Sequence, residues 1–283
     1  MSTQFKYRLL ISIFSILCLS FAIFYSTTPL FKPFFIAING VLICLALVEY
    51  YHLAENKGFT PLQGIAIAST GAYLFVLSFS FYNFHLSFLP PLVLFTSLLI
   101  LFLICFQWHV NVLGNLAVTV FGIIYLTIPL SYGMRINYFF PSSGLGDGRL
   151  WLAYVLLVTK MTDVGAYFSG KLFGRSPLAP YISPQKTVEG ALGGIALALA
   201  TSVLFVIGLS PHFTMTISQS IWIGLIISIL SQLGDLAESL LKRDAGVKNS
   251  SRLPGLGGVL DIVDALVFTL PFMYLLLQMN IVG

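Results

Sequence analysis

Charge is what this chain has least of. Asp, Glu, Lys and Arg make up 8% of its 283 residues, while 58% are hydrophobic; soluble domains carry about a quarter charged residues. That scarcity excludes an ordinary soluble domain and reads as an integral membrane protein, in keeping with a mean hydropathy of +0.95. A net charge of only +4, with no Lys/Arg stripe on a soluble domain, excludes a nucleic-acid binder. Cysteine is also scarce. Cys18, Cys44 and Cys105 lie scattered in apolar runs, without the close spacing of a zinc site or a disulfide framework, and read as small core hydrophobes. His52, His85, His109 and His212 show no ligand-type spacing and fall near expected segment ends.

Apolar runs are what the chain has in plenty. A hydrocarbon core needs about 20 apolar residues per helix, and nine runs qualify: 9–25, 34–50, 62–82, 86–106, 110–132, 150–169, 190–209, 217–241 and 260–281. The expected fold is therefore all-α, a polytopic integral membrane protein with about nine transmembrane helices. The first run follows Lys6 and Arg8 as a signal peptide would, but no small-x-small cleavage site follows it, so it reads as a retained helix.

With the N-terminus in the cytoplasm, that side receives Lys6, Arg8, Lys57, Lys171, Arg175, Lys186, Lys242, Arg243, Lys248 and Arg252. The other side receives only Lys32, Arg135 and Arg149. The positive-inside rule then places the polar loops after the sixth and eighth runs in the cytoplasm. Short loops and the lack of a targeting extension fit a bacterial inner membrane. Acidic residues divide the chain near residue 150, since only Glu49, Glu55 and Asp147 come before it. Residues 1–150 are accordingly expected to form membrane scaffold helices, and residues 151–283 the catalytic helices with their cytoplasmic polar loops.

One stretch breaks the apolar pattern. Residues 235–264 hold nine charged side chains, four glycines and a proline, and charges buried in a bilayer mark functional sites. Asp235, Glu238, Ser239 and Lys242 fall at i, i+3, i+4 and i+7, on one helical face; Asp261 and Asp264 share a face of the next run. Carboxylate oxygens suit magnesium, which takes one or two carboxylates together with substrate phosphates. Asp235, Asp261 and Asp264 are the expected metal ligands, for one or two magnesium ions. Lys242, Arg243, Lys248 and Arg252 would neutralise phosphate oxygens, and Gly255, Gly257 and Gly258 would let the backbone approach a ligand. The bland alternative for the basic residues is a solvated cytoplasmic loop.

A second constellation runs from Asp163 through Gly165, Ala166, Ser169, Gly170 and Lys171, then Ser183, Pro184, Lys186, Thr187, Glu189 and Gly190. Its small residues allow close helix packing, and Asp163 can pair with Lys160 one turn before it. Ser183, Lys186 and Thr187 precede a helix start, a natural phosphate site.

These residues resemble the phosphatidate cytidylyltransferase (CDP-diacylglycerol synthase) family. Ser239, Lys242, Arg243, Lys248, Pro254, Gly257, Gly258, Asp261 and Asp264 match its C-terminal signature in order, and the upstream stretches from Asp163 to Gly190 and Leu233 to Asp235 are similar to it too. The resemblance implies transfer of CMP from CTP to phosphatidate, giving CDP-diacylglycerol and pyrophosphate, with the active site on the cytoplasmic side. It implies catalytic roles for Asp235, Lys242, Arg243, Lys248, Asp261 and Asp264. Substrate binding then falls to Asp163, Ser183, Lys186, Thr187, Glu189, Ser239, Arg252, Gly257 and Gly258. A homodimer would follow by family analogy, through small-residue helix faces. The chain departs from the signature at Asn249, Leu256 and Ile262, where the family has Asp, His and Arg. A degenerate, non-catalytic relative is therefore one alternative. A CTP-dependent lipid kinase and an ion-coupled transporter are the others, although a transporter would place polar groups in both halves of the chain.

Overall fold

The computed structural model describes residues 20–81, 84–107, 111–140, 147–209, 213–248 and 258–279. Helices dominate because long apolar runs in a bilayer must satisfy their own backbone N–H and C=O groups. In chain order they are α1 (Lys32–Asn56), α2 (Gln63–Ser80), α3 (Leu89–Cys105), α4 (Val112–Gly122), α5 (Ile128–Asn137), α6 (Gly148–Phe173), α7 (Val188–Leu209), α8 (Ile217–Asp244), α9 (Val259–Val263) and α10 (Leu266–Gln278). The pair α4–α5 forms one span, Val112–Asn137, and α9–α10 another, Val259–Gln278. With α1, α2, α7 and α8 these make six helices, among the described residues, that are long and apolar enough to cross a membrane, beside the shorter apolar α3. At 26 residues α6 is long enough too, but it carries Arg149, Lys160, Asp163 and Lys171. Eight of the nine expected runs thus correspond to described helices. Of the run 9–25 only residues 20–25 are described, and they are helical.

Two spans are interrupted, each for a local reason. Pro129 lacks an N–H, and its ring would strike the carbonyl of Tyr125 four residues back. The backbone widens into a π turn over Ile123–Thr127 just before it, and the span continues as α5. The second break lies at Asp264 and Ala265, between the end of α9 and the start of α10.

The most extensive helix contact is between α6 and α7, and small residues make it close. A Cβ on Gly165 would lie 2.7 Å from the Gly193 carbonyl oxygen, and one on Gly194 would lie 2.9 Å from that of Thr162. The small residues read as packing positions are thus used within the chain. Nearer the other end of α6, Tyr154 and Ser202 hydroxyls meet at 2.7 Å, and Ser202 donates to the Ser220 carbonyl at 2.6 Å, tying α6, α7 and α8 together. Trp151, Tyr154, Val155 and Val158 are fully buried there.

Between α6 and α7 lies an antiparallel hairpin, β1 (Pro177–Ala179) and β2 (Ser183–Thr187), where the sequence reads only as polar loop. Its base is closed from the start of α7. The Glu189 carboxylate accepts from the Arg175 and Ser176 amides at 3.0 and 3.2 Å, and the Val188 amide donates to the Ser176 carbonyl at 2.9 Å.

Close backbone approach makes the α6–α7 seam intolerant of bulk. Gly165→Val should destabilise the protein by about 1–3 kcal/mol or more through overpacking. Gly64→Ala, where an added Cβ meets nothing within 4 Å, should leave stability unchanged. Thermal unfolding of both variants in detergent checks the contrast.

Candidate active site

Asp235, Glu238 and Lys242 line one side of α8, as their spacing predicts. Lys242 Nζ lies 2.6 Å from Glu238 Oε2 and 2.6 Å from Asp261 Oδ1, so a single ammonium joins α8 to α9. Glu238 is 1% exposed, and burying a carboxylate that deeply requires such a partner. Lys242, expected to bind phosphate, is thus engaged by two carboxylates.

Asp235 is held by the other constellation. Lys186 reaches from β2 to within 2.5 Å of Asp235 Oδ2, so two stretches about fifty residues apart in sequence meet here. On α6, Lys160 Nζ lies 3.5 Å from Asp163 Oδ2 and donates to the Ile262 carbonyl at 3.1 Å. The expected Lys160–Asp163 pair therefore forms, and it also touches α9.

Asp264 sits in the α9–α10 turn, 4% exposed, with Oδ1 accepting from the Ala265 amide at 2.6 Å. Its backbone packs against Gly234, next to Asp235 on α8, and Lys160 reaches the Ile262 carbonyl two residues before it. Gly234 makes this approach possible. A Cβ there would lie 2.4 Å from the Asp264 carbonyl oxygen and 3.0 Å from Ala265 Cα, so α8 rests directly on the turn backbone. The carboxylates fall into two groups as a result: Asp163, Asp235 and Asp264 in one, Glu238 and Asp261 around Lys242 in the other.

A cavity of about 450 Å³ opens beside the first group, lined by Asp163, Tyr167, Lys171, Ser183, Lys186, Thr187, Gln232 and Asp235 among others. It places ammonium groups and carboxylates on the same space, as a magnesium–phosphate ligand requires. The other expected residues are placed as follows. Thr187 lines the cavity and also accepts from the Gly190 amide at 3.1 Å, at the start of α7. Arg243 donates its Nε to the Ile182 carbonyl at 3.0 Å, holding the hairpin against α8. Lys248 is exposed beyond α8, and Ser239 is half-buried on it. Glu189 shapes the hairpin base. Gly258 begins α9 and donates its amide to Asp261 Oδ2 at 3.1 Å. Arg252, Gly255 and Gly257 lie outside the described residues, as do Asn249 and Leu256. Ile262 is half-exposed on α9.

The oxygen-only donor set suits a hard cation. Among the described residues no three Asp, Glu, His or Cys side chains share one ligation point. Magnesium needs only one or two carboxylates when substrate phosphates complete its shell; Asp235 and Asp163 stand on the cavity wall, with Asp264 on the turn packed against Gly234.

Sequence reasoning passed over two contributors. Gln232 lines the cavity, its Nε2 donating to the Ala191 carbonyl at 3.3 Å. Glu49, on α1, accepts from the amides of Val259 and Leu260 at 3.0 and 2.8 Å. The signal was present: Glu49 is an acidic residue inside an apolar run, the same feature that flagged Asp235, Asp261 and Asp264.

Residues 6–280 match the model of the Cytidylyltransferase family. The chain belongs to that family. Among proteins named phosphatidate cytidylyltransferase, it is 34% identical to that of Synechocystis over 266 residues, 85% of this chain and 87% of the relative. It is 42% identical to the Bacillus subtilis protein over 158 residues, 55% and 58% of the two chains. Against that of Chlamydia muridarum it is 34% identical over 176 residues, 60% and 57%. The matched part thus spans under two thirds of the length of the latter two relatives.

The paired ammonium yields a stability prediction for this family member. Lys242→Met leaves Glu238 buried without its partner and should cost about 3–5 kcal/mol. Adding Glu238→Gln to that background should recover part of the loss, measured by thermal unfolding of the single and double variants.

Proposed function

We propose that this chain is a phosphatidate cytidylyltransferase, transferring CMP from CTP to phosphatidate to give CDP-diacylglycerol and pyrophosphate. The observation that carries the reading is the Lys186–Asp235 pair on the wall of one cavity, with Asp264 on the turn packed against the neighbouring Gly234, in a membrane-embedded member of the cytidylyltransferase family. A phosphate oxygen of the lipid attacks the α-phosphorus of CTP. A P–O bond forms there as the bond to the β-phosphate bridging oxygen breaks, and that electron pair leaves with pyrophosphate. The attacking phosphate is already ionised, so no side-chain nucleophile or strong general base is needed.

The obstacle is repulsion between two polyanions, and the residues around the cavity address it. Lys186 and Lys171 present ammonium groups to phosphate oxygens, while Ser183 and Thr187 supply hydroxyls. Arg243 holds the hairpin that carries Lys186, Ser183 and Thr187, so the phosphate-facing side keeps its position relative to the carboxylates. Lys248 stands exposed after α8 and adds to the basic surface, and Arg252, four residues on in sequence, is proposed as a further phosphate binder. Asp235 and Asp264 would hold magnesium, with Asp163 nearby; bound there, the metal neutralises phosphate charge and polarises the reacting phosphorus. Asp261 joins the Lys242–Glu238 group and acts on the arrangement of α9. Positioning and electrostatic stabilisation then supply most of the acceleration.

The basic residues flanking the spans support a cytoplasmic site in a bacterial inner membrane, where CTP is at hand. Phosphatidate reaches the cavity from the bilayer, beside the exposed Tyr167 and Phe168 of α6. The small residues that would have served a dimer face, Gly165 and its neighbours, are occupied by the α6–α7 contact.

Asp264→Asn should abolish nearly all transfer while the protein remains inserted and folded. Purified protein is incubated with labelled CTP, phosphatidate and magnesium, and the nucleotide-bearing lipid and pyrophosphate are measured. Near-normal turnover of the variant would remove Asp264 from the chemistry. Release of CDP in place of pyrophosphate by the unmodified protein would reassign it as a lipid kinase.

A further inference from the structure

We infer that Glu49, from the N-terminal half of the chain, is a positioning residue for the transfer, clamping the start of α9 so that Asp261 and Asp264 stand where the reaction needs them. The inference rests on the nucleotidyltransferase reading and adds to it a residue that no signature motif includes.

The argument begins with α9 itself. It spans five residues, Val259–Val263, and one turn of helix barely offsets the entropy of its own nucleation. Its location must come from its ends. At the C-terminal end the Asp264–Ala265 turn rests on Gly234. At the N-terminal end the first amides of a helix have no partner within it. Two carboxylates take them. Asp261 Oδ2 accepts from Gly258 at 3.1 Å, while Glu49 uses both oxygens, accepting from Val259 at 3.0 Å and Leu260 at 2.8 Å. Bonds of this kind, from ionised carboxylate to amide, are among the stronger hydrogen bonds.

Asp261 and Asp264 follow directly on this clamp. Asp261 also binds Lys242, which holds Glu238 on α8, so a shift at the start of α9 is passed to that cluster. Asp264 lies at the far end of the same turn. The partner helix α1 is a long span whose buried residues include Ala46, Leu47, Tyr50 and Tyr51 around Glu49. It is therefore a rigid base for the clamp. A loss of this clamp moves the acids while leaving the cavity wall on α6, α7 and the hairpin in place, so catalytic rate and ligand binding should separate.

The test uses the full chain in detergent micelles as wild type, E49A, E49Q and E55A, the last an exposed position on the same helix. Three quantities are read: turnover with CTP, phosphatidate and magnesium; the stoichiometry of CTP binding; and amide exchange over residues 258–264. For E49A we expect stoichiometric CTP binding with kcat reduced by about ten- to a hundredfold, the scale of a small misplacement of reacting groups. Exchange over 258–264 should speed up at least about tenfold as local opening becomes easier, with α6 unchanged. E49Q should recover part of both losses, because its single carbonyl oxygen can take one amide, and E55A should match wild type. Unchanged exchange in E49A overturns the inference, as does a kcat within about twofold of wild type by the same positioning scale. A kcat loss that merely tracks lost CTP-binding protein overturns it too, since that is a folding defect. The exchange arm needs no turnover. A wild type that forms no nucleotide-bearing lipid would sink the assigned reaction, while the clamp would still stand or fall on exchange in E49A.

Discussion

A carboxylate inside an apolar helix must have a cation or backbone donors beside it, and the functional part of this protein is organised by that requirement. Leaving such a group uncompensated costs several kcal/mol. The chain meets the demand with three lysines and helix-end amides: Lys160 with Asp163, Lys186 with Asp235, Lys242 between Glu238 and Asp261, and the first amides of α9 with Glu49. Each of these pairings spans two elements or braces one of them. The electrostatics that make the acids tolerable are therefore also what bring α6, α8, α9, the hairpin and α1 to a common place.

The same constraint explains why the site is divided in two. Lys242, beside the buried Glu238 on α8, reaches Asp261 and acts as a fixed strut between α8 and α9. Asp235 and Lys186 are more open, on a cavity with room for a phosphate-bearing ligand. An ion pair on the wall of such a cavity can be exchanged for a bound polyanion and its metal at modest cost, whereas the buried pair cannot. Chemistry is thus placed where the charges are accessible, and architecture where they are not.

Much of this was legible in the residues. Eight apolar runs appear as helices, the i, i+3 and i+7 spacing of Asp235, Glu238 and Lys242 does form one face, and Lys160 does pair with Asp163. Hydropathy and helical periodicity are local properties, so they survive folding unchanged. The hairpin at Ser183–Thr187 was not legible, because its register depends on Glu189 and on Arg243 from α8 rather than on strand propensity. The interrupted helix at Asp264 was missed for a related reason. It follows from the contact with Gly234 and the anchoring of α9, and the run 260–281 carries no mark of either. The occupation of Lys242 by two acids was equally hidden, since a basic residue near phosphate-binding companions looks available until its neighbours are placed.

What the sequence determined by itself is that the chain lives in a membrane, which end of its helices is basic, and which acids need an explanation. These follow from composition and from spacing within single helices. What only the tertiary structure decided is the partner of each charge: that Lys186 goes to Asp235, that Lys242 goes to Asp261 as well as Glu238, and that Glu49 reaches a helix about 210 residues away. Charge complementarity alone allows many such pairings. Close backbone contacts at Gly165, Gly194 and Gly234 select one of them, because they set which helix faces can approach within reach of an ion pair.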